Sequence, residues 1–238
     1  MPARFLVVEH EPACPPAHLG TWLIDAGAEL DVCRPWAGDE IPGLPGYDGF
    51  VVLGGSMNAH DDATHPWLTT VKERVREAVD ASLPTLGVCL GHQLIAVALG
   101  GTVEVNPRGQ QVGLYDVGWR PEAGDDDLVS ALPPSTRGIQ WNIDLVTALP
   151  DGAVELAATA EDELQIARFA PTVWGVQLHP EADEPVVRSW AAGDRDDHLE
   201  HGIDQAAVLA GIDAARAELD GAWRPLATSL VALAGAQR

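Results

Sequence analysis

A cysteine between two glycines is the first residue of this chain to consider for chemistry. Positions 87 to 91 read Gly-Val-Cys-Leu-Gly, where an apolar run gives way to a helical pattern. This G-x-C-x-G spacing is typical of a nucleophile elbow, a sharp strand-to-helix turn whose glycines leave room beside the nucleophile. The turn would place the sulfur of Cys89 at a helix N-terminus, where the helix dipole favours the thiolate. The backbone N–H of Leu90 would then point at an oxyanion formed on a carbonyl attacked by Cys89.

A histidine and a glutamate downstream supply the two groups that a thiolate nucleophile needs. Residues 177–181 read Gln-Leu-His-Pro-Glu and directly follow an apolar segment. His179 at a strand end can take the thiol proton and return it to the leaving amine. Glu181 can accept a hydrogen bond from the other ring nitrogen, which fixes the tautomer and stabilises the imidazolium. Cys89, His179 and Glu181 are therefore predicted to form a catalytic triad.

The other cysteines carry weaker signals. Their total of three is odd and shows no paired spacing, which favours reduced thiols over a disulfide framework. Cys14 lies among prolines in a predicted loop and Cys33 ends a predicted strand, so both are interpreted as structural or incidental. Cys89 and His92 have the spacing of a Cys-x-x-His metal pair, but no second pair stands nearby in the sequence. We therefore predict no metal site and no cofactor.

The elements that must position these residues alternate between strand and helix. Such alternation is typical of a largely parallel sheet with helices on both faces, whose strands present ligands at their carboxyl ends. Predicted strands cover 5–8, 29–33, 49–53 and 85–88. From 102 to about 176 the pattern favours β structure, with segments such as 112–117, 154–158, 164–169 and 173–178. Predicted helices cover 18–25, 66–82, 93–99, an alanine-rich stretch after an acidic loop at 193–197, and 223–233. Without a repeat or a linker, residues 1–238 are expected to form one domain with a helical tail at about 183–238.

The composition disfavours several classes of function. The formal net charge is −22 and Lys72 is the only lysine, whereas nucleic acids and anionic lipids require clustered Lys and Arg. No apolar run approaches the roughly 20 residues that span a bilayer. The opening residues MPARFLVVEH lack the apolar core and cleavage site of a signal peptide. We therefore expect a cytoplasmic protein with no nucleic-acid or membrane partner.

Separate motifs along the chain resemble those of class I glutamine amidotransferases. Residues 87–93 (Gly-Val-Cys-Leu-Gly-His-Gln) resemble the nucleophile motif of that family, and 176–181 (Val-Gln-Leu-His-Pro-Glu) resemble its second motif. Residues 51–56 (Val-Val-Leu-Gly-Gly-Ser) resemble the glycine turn that supplies the other oxyanion-hole amide. The stretch 106–113 (Asn-Pro-Arg-Gly-Gln-Gln-Val-Gly) resembles the segment that helps line the glutamine pocket. The helical tail is similar to that of stand-alone members related to GMP synthase.

The resemblance implies a flavodoxin-like open sheet, mostly parallel with helices on both faces, and hydrolysis of a γ-glutamyl amide. Cys89 would attack the amide, ammonia or an amine would leave, and water would release glutamate from a thioester. The resemblance places the oxyanion hole at the N–H groups of Gly55 and Leu90. The substrate-binding residues that it implies are Gly54, Ser56, Gln93, Gln111, Asn142 and Asp144.

One segment departs from the pattern of the stand-alone members. They commonly carry Trp-His-Gly-Asp where this chain has Trp-Asn-Ile-Asp at 141–144, a segment that touches the α-amino and carboxylate end of bound glutamine. Ile143 adds a β-branched side chain where close backbone approach is expected, and Asn142 removes an ionisable ring. Asp144 is retained and can pair with an α-ammonium group. These substitutions change the predicted substrate pocket, so a γ-glutamyl peptide or another amide is an alternative substrate to glutamine.

Several functions remain open on these observations. The first is an amidotransferase glutaminase whose ammonia passes to a separate synthetase subunit, because this chain has no room for a synthetase domain. The second is an independent hydrolase of γ-glutamyl peptides, with water as its acceptor. The third is a catalytically weak binding or regulatory module that retains the fold. An α/β-hydrolase is disfavoured, because its acidic residue precedes its histidine, whereas Glu181 follows His179.

Overall fold

The computed structural model describes residues 1–236, which form one large sheet, two small strand pairs and the helices packed against them. The strands are β1 (Ala3–Val8), β2 (Ala28–Cys33), β3 (Gly49–Val52), β4 (Thr85–Val88), β5 (Thr102–Val105), β6 (Gln111–Asp116), β7 (Gly118–Trp119), β8 (Arg137–Asn142), β9 (Asp144–Ala148), β10 (Val154–Ala158), β11 (Leu164–Ala170) and β12 (Val173–Val176). The helices are α1 (Ala17–Asp25), α2 (Trp67–Asp80), α3 (Leu90–Ala98), α4 (Glu184–Gly193), α5 (Arg195–Glu200) and α6 (Gln205–Ala236).

The large sheet has the strand order β2-β1-β3-β4-β12-β11-β10-β7. Neighbours from β2 to β12 pair in parallel, and those from β12 to β7 pair in antiparallel fashion. The two smaller pairs, β5 with β9 and β6 with β8, are antiparallel. The prediction of an open α/β sheet, mostly parallel and with helices on both faces, is confirmed.

The register of the central strands aligns their carboxyl ends. Val52 of β3 lies beside Gly87 of β4, and Val88 lies beside Val176 of β12. Because these strands are parallel, the segments that follow them emerge at the same edge of the sheet. This is the edge at which open α/β sheets bind their ligands.

Alternate residues of β1 pack into two cores, one on each face of the sheet. Phe5 belongs to the core that contains Trp22 of α1 and Trp223 of α6. Leu6 belongs to the other core, together with the apolar faces of α2 and α3. A parallel strand covered on both faces has no polar side, which explains the uninterrupted apolar run from Phe5 to Val8 in β1.

The C-terminal part of the chain differs from the prediction of two helices, the second at 223–233. Residues 205–236 form one continuous helix with Pro225 inside it. Buried residues continue along one face on both sides of this proline, namely Leu219, Trp223, Leu226 and Leu230. Packing of that face maintains the helix even though a proline in a helix interior costs about 3 kcal/mol. In addition, the indole Nε1 of Trp223 donates to the backbone carbonyl of Arg137 at 2.8 Å.

The acidic stretch 193–197 was predicted to be a loop, and this prediction is also wrong. Gly193 ends α4 and Arg195 begins α5, so the chain is helical on both sides of Asp194. Asp196 and Asp197 occupy the first turn of α5, where negative charge interacts favourably with the helix dipole. None of the helices within residues 1–236 combines the length and apolar character needed to cross a membrane.

Candidate active site

Cys89 lies in the sharp turn between β4 and α3. Its backbone, with φ of 50° and ψ of −106°, adopts a conformation that residues with side chains rarely occupy. A Cβ added at Gly87 would come within 2.5 Å of the backbone of Gly91, and one at Gly91 would come within 2.0 Å of the carbonyl oxygen of Val52. The N–H of Cys89 donates to the carbonyl of Val176 at 2.8 Å. The turn expected from the sequence is therefore present, and its packing requires both glycines.

His179 and Glu181 form a buried pair beyond the end of β12. His179 Nδ1 lies 2.7 Å from Glu181 Oε1, and the two residues are 3% and 1% exposed. The N–H of His179 donates to the carbonyl of Ile139 at 2.8 Å. The centroid of the imidazole lies 4.6 Å from that of the Trp190 ring. The ring of His179 is thus positioned by main chain, a carboxylate and an aromatic side chain.

The surroundings of His179 favour its protonated form. Burial lowers the pKa of the imidazole, but the interactions with Glu181 and Cys89 outweigh burial and raise the pKa to about 10. At neutral pH both ring nitrogens therefore carry a proton, and Nδ1 donates to Glu181. Nε2 has no well-aligned hydrogen-bond partner within residues 1–236, although the side chain of Cys89 is close enough to contribute to the raised pKa. Its proton is available to a group that enters the site.

Cys89 and His179 both lie next to Gly54. A Cβ placed on Gly54 would lie 3.6 Å from the Cβ of Cys89 and 3.4 Å from the Cε1 of His179. These residues follow β3, β4 and β12, which are neighbours in the sheet. The absence of a side chain at position 54 leaves both groups accessible.

Gln177 also contacts the cysteine, although sequence analysis did not single it out. Its Nε2 lies 3.6 Å from the Sγ of Cys89, and its Oε1 accepts a hydrogen bond from Nε2 of Gln93 at 3.2 Å. Gln93 Nε2 also donates to the backbone carbonyl of Asp144 at 3.0 Å. Gln177 could have been predicted as a site residue from the sequence, because it belongs to the same motif as His179.

The turn after β3 brings Gly55 next to Leu90. A Cβ on Gly55 would lie 2.9 Å from Cδ2 of Leu90. Glu11, in the loop after β1, holds this turn by accepting hydrogen bonds from the N–H and the hydroxyl of Ser56 at 2.8 and 2.7 Å. The two predicted oxyanion-hole residues are therefore neighbours beside Cys89. The position of Glu11 in the sequence predicts no role, because its partner Ser56 lies on a different loop.

A cavity of about 400 Å³ opens onto Cys89 and His179. Its lining also includes the predicted residues Gly55, Ser56, Gln93, Asn142 and Asp144, but not Gly54, Leu90, Gln111 or Glu181. Trp141, Trp190 and Asp194 contribute further walls that sequence analysis did not anticipate. A wider cleft of about 840 Å³ at the amino edge of the sheet is lined, among the described residues, by no Cys, Ser or His side chain. The nucleophile candidates therefore belong to the smaller cavity.

The predicted residues at one wall of the cavity form a connected network. Asn142 Nδ2 donates to Oε1 of Gln111 at 3.0 Å, and Gln111 Nε2 in turn donates to Glu163. Asp144 Oδ2 accepts a hydrogen bond from Asn58 Nδ2 at 2.7 Å. Gln111 thus supports Asn142 from behind the wall and does not line the cavity itself.

Cys14 lies in the cavity wall, although sequence analysis interpreted it as structural or incidental. Its Sγ would be 3.8 Å from a Cβ on Gly54, and it donates to Glu11 Oε1 at 3.4 Å. Burial, Glu11 and Cys89 all raise the pKa of its thiol, which is therefore protonated. Cys33 instead donates to the backbone carbonyl of Glu40 at 3.6 Å and does not line the cavity. Across residues 1–236, no three His, Cys, Asp or Glu side chains converge as a metal ion would require.

A family model for glutamine amidotransferase class-I matches residues 21–186, which is more than half of the chain. The chain belongs to the class I glutamine amidotransferase family. The matched segment begins in α1 and ends in α4, so it contains the turn at Cys89 and the His179–Glu181 pair. The recognition made from the separated motifs is therefore confirmed.

Relatives of this chain include a GMP synthase subunit and a gamma-glutamyl peptidase. The chain is 39% identical over 138 residues to a glutamine-hydrolyzing GMP synthase subunit of Halobacterium salinarum, covering 56% of this chain and 66% of the relative. It is 30% identical over 169 residues to gamma-glutamyl peptidase 4 of Arabidopsis thaliana, covering 69% of this chain and 66% of the relative. In both cases the match spans slightly less than two thirds of the relative's length.

Solved structures of glutamine amidotransferases share the fold over nearly the whole chain. The structure of a glutamine amidotransferase from Thermotoga maritima has a TM-score of 0.86 at 24% identity, covering 97% of this chain and 99% of that one. A glutamine amidotransferase from Methylobacillus flagellatus gives a TM-score of 0.84 at 24% identity, covering 98% and 94%. At this level of identity the likeness is one of fold.

Proposed function

We propose that this member of the amidotransferase family is a cysteine hydrolase that cleaves γ-glutamyl amides through a thioester on Cys89. The observation that carries the proposal is the convergence of a strained cysteine and a buried His179–Glu181 pair on Gly54 at the carboxyl edge of the sheet. Active sites are where strained backbone and perturbed pKa values occur together. The complete set of groups also argues against the alternative of a catalytically weak module.

In the first step the thiolate of Cys89 attacks the δ-carbon of the substrate amide. The negative charge that forms on the carbonyl oxygen is stabilised by the N–H groups of Gly55 and Leu90. His179, which is protonated at neutral pH, transfers its Nε2 proton to the leaving nitrogen. The C–N bond then breaks, ammonia or an amine departs, and the γ-glutamyl group remains as a thioester on Cys89.

In the second step water releases glutamate. Neutral His179 takes a proton from water, which attacks the thioester carbon through an oxyanion held by the same two N–H groups. The C–S bond breaks, and the site returns to a thiolate beside an imidazolium. Glu181 stabilises the imidazolium in both steps and fixes the orientation of the ring.

The proposed substrate carries an α-ammonium group that pairs with Asp144. The carboxylate of Asp144 lines the cavity and has an amide, Asn58, as its hydrogen-bond partner, so its charge is not neutralised there. Gly54, Ser56, Gln93 and Asn142 are proposed to complete this part of the site, with Gln111 acting through Asn142. Three free cysteines fit the proposal of a reducing, cytoplasmic setting.

Two functions remain candidates for this site. One delivers ammonia from glutamine to a separate synthetase chain, and the other hydrolyses γ-glutamyl compounds independently. The name of the Halobacterium relative describes a glutamine-hydrolysing subunit, which supports release of ammonia to a separate synthetase chain. The name of the Arabidopsis relative describes a peptidase, and the exposed Ile143 in the cavity lining gives this chain its own pocket shape. Ile143 is the observation that favours an independent γ-glutamyl hydrolase as the second candidate.

The test is glutamate release by the purified chain from glutamine and from a panel of γ-glutamyl peptides. We expect Cys89→Ala to lower release by about 10⁴-fold or more, because the nucleophile is lost. Cys33→Ala is the matched control, because it removes a buried thiol that does not line the cavity, and it should retain activity. Equal rates for Cys89→Ala and the parent would overturn the assignment. Release from peptides alone would support the independent hydrolase, and release from glutamine would support the glutaminase.

A further inference from the structure

The cavity that contains Cys89 is lined by three carboxylates and no cationic side chain other than His179. The carboxylates belong to Glu11, Asp144 and Asp194, and no Lys or Arg of the described chain contributes to the lining. Ion pairs elsewhere in residues 1–236 join Arg or Lys to acidic groups, but none includes these three carboxylates. The cavity therefore presents uncompensated negative charge to its ligand.

Two buried amide oxygens in the same lining also lack partners. Oδ1 of Asn142 and Oε1 of Gln110 accept no hydrogen bond from the described residues, and Asn142 is only 5% exposed. Buried polar atoms in native proteins are normally hydrogen-bonded. Oxygen acceptors without donors, next to free carboxylates, indicate a ligand rich in N–H groups and positive charge.

A continuous series of contacts leads from His179 to one of these carboxylates. The ring of His179 packs on Trp190 with centroids 4.6 Å apart, and Trp190 packs on Trp141 at 5.9 Å. The indole Nε1 of Trp141 donates to Oδ2 of Asp194 at 2.7 Å. All four residues line the cavity. The wall on the His179 side is therefore aromatic near the reacting atoms and negatively charged farther out.

The position of His179 determines which part of the substrate meets this wall. The leaving nitrogen must lie within reach of His179 Nε2 to receive its proton, so the leaving group extends along Trp190 and Trp141. Tryptophan faces attract cations, and Asp194 adds a full negative charge at the end of the path. Asp144, which contacts Gln93 through its backbone, serves the opposite, α-ammonium end of the substrate.

We propose that the preferred substrate is a γ-glutamyl amide whose leaving amine carries a second, cationic nitrogen, and that Asp194 recognises this cation. This proposal rests on the proposed function and names its substrate class. Hydrolysis converts the mono-γ-glutamyl derivative of a diamine and one water into glutamate and the free diamine, and His179 supplies the proton that the leaving nitrogen takes up when the C–N bond breaks. A reaction that couples glutamate to a diamine must therefore supply the substrate.

The test compares γ-glutamyl amides that differ only in the charge at the far end of the leaving group. The probes are the amides of diaminobutane (cationic), pentylamine (neutral) and aminobutyrate (anionic). Their binding is measured by calorimetry on Cys89→Ala, which holds the amides without turning them over. We expect the cationic amide to bind about fivefold more tightly than the neutral one, with the anionic amide weakest, because one partly exposed ion pair contributes about 1 kcal/mol.

Asp194→Asn, made in the same Cys89→Ala background, separates recognition from a structural role. Asparagine keeps an oxygen that accepts from Trp141 Nε1 but removes the charge, so the preference for the cationic amide should fall to about twofold or less. Asp196→Asn is the matched control, because it changes the net charge equally on an exposed residue outside the cavity lining. A preference that is absent, or that survives Asp194→Asn unchanged, overturns the inference. Failure of the parent chain to release glutamate from glutamine and from all three amides overturns the proposed function instead.

Discussion

At the scale of single residues, the charge state of His179 is the property on which the proposed chemistry depends. The imidazole is buried, which alone would keep it neutral. The carboxylate of Glu181 at 2.7 Å reverses this preference, so the ring can act as an acid when the amine leaves. The same carboxylate would stabilise the imidazolium again after each turnover.

We predict that Glu181→Gln lowers activity less than Cys89→Ala and moves the alkaline limit of activity to lower pH. Burial lowers and Glu181 raises the pKa of His179, which stands at about 10, so loss of the carboxylate lowers that pKa. The imidazolium needed by the leaving group then disappears at lower pH. The measurement is kcat/KM against pH for parent and variant, and an unchanged or higher alkaline limit would contradict the role given to Glu181.

The same pKa links His179 to stability. Because the folded-state pKa lies above the ordinary value of 6.5, the His179–Glu181 pair stabilises the fold fully below pH 6.5. This contribution is lost as the pH rises through about 10. The free energy of unfolding of the parent should therefore fall more steeply than that of Glu181→Gln over this range.

Residues in contiguous motifs could be predicted, and residues joined only by tertiary contacts could not. Cys89 lies two positions from each flanking glycine, and His179 lies two positions from Glu181. Their spacing in the sequence was therefore enough to predict them. Cys14 and Glu11 lie in a proline-rich loop that reaches the cavity only because β1 is a neighbour of β3. The triad, oxyanion-hole and substrate-binding roles remain predictions for the assays described above.

At the scale of elements, short apolar strands were predicted well and the helix α6 was not. Strands β1, β3, β4 and β12 are buried on both faces, so their composition alone identifies them. Strands β5 and β9 lie within the stretch 102–176 that was predicted as β structure, but their bounds were not predicted, because each has partly exposed residues and depends on its partner. The helix α6 was predicted as two helices, the second at 223–233, whereas its buried face continues without interruption on both sides of Pro225.

We predict that Gly211→Ala in α6 stabilises the protein by about 1 kcal/mol, because alanine has the higher helix propensity. Gly211 is exposed, and a Cβ added there would meet nothing within 4 Å. Gly20→Ala in α1 is the contrasting variant, because its Cβ would come within 2.9 Å of the Pro16 side chain. Urea unfolding measures both changes, and a loss of stability in Gly211→Ala would count against a continuous, well-packed α6.

At the scale of the whole molecule, the excess of negative charge sets the response to salt. The chain has 36 acidic and 14 basic residues, so even complete pairing of the basic groups would leave many carboxylates facing one another. Self-repulsion of this kind destabilises the compact state and is reduced by counterions.

We predict that sodium chloride, up to about 0.5 M, raises the midpoint of thermal unfolding at pH 7, because the Debye length then falls below about 5 Å. The effect should fade as the pH approaches the isoelectric point of about 4.4, where the net charge disappears. Thermal unfolding followed by circular dichroism at several salt concentrations provides the measurement. A midpoint at pH 7 that falls with added salt would show that attractive ion pairs outweigh the repulsion.

The contacts of α6 also determine when this protein can finish folding during its synthesis. The indole of Trp22 donates to Asp220, 198 positions later, and Trp223 belongs to the same core as Phe5. One face of the central sheet, which α1 covers only in part, therefore stays incompletely covered on the ribosome until α6 has emerged. Such distant contacts make folding slow and leave apolar surface exposed in the nascent chain. Until α6 docks, the apolar surface of that face is open to aggregation.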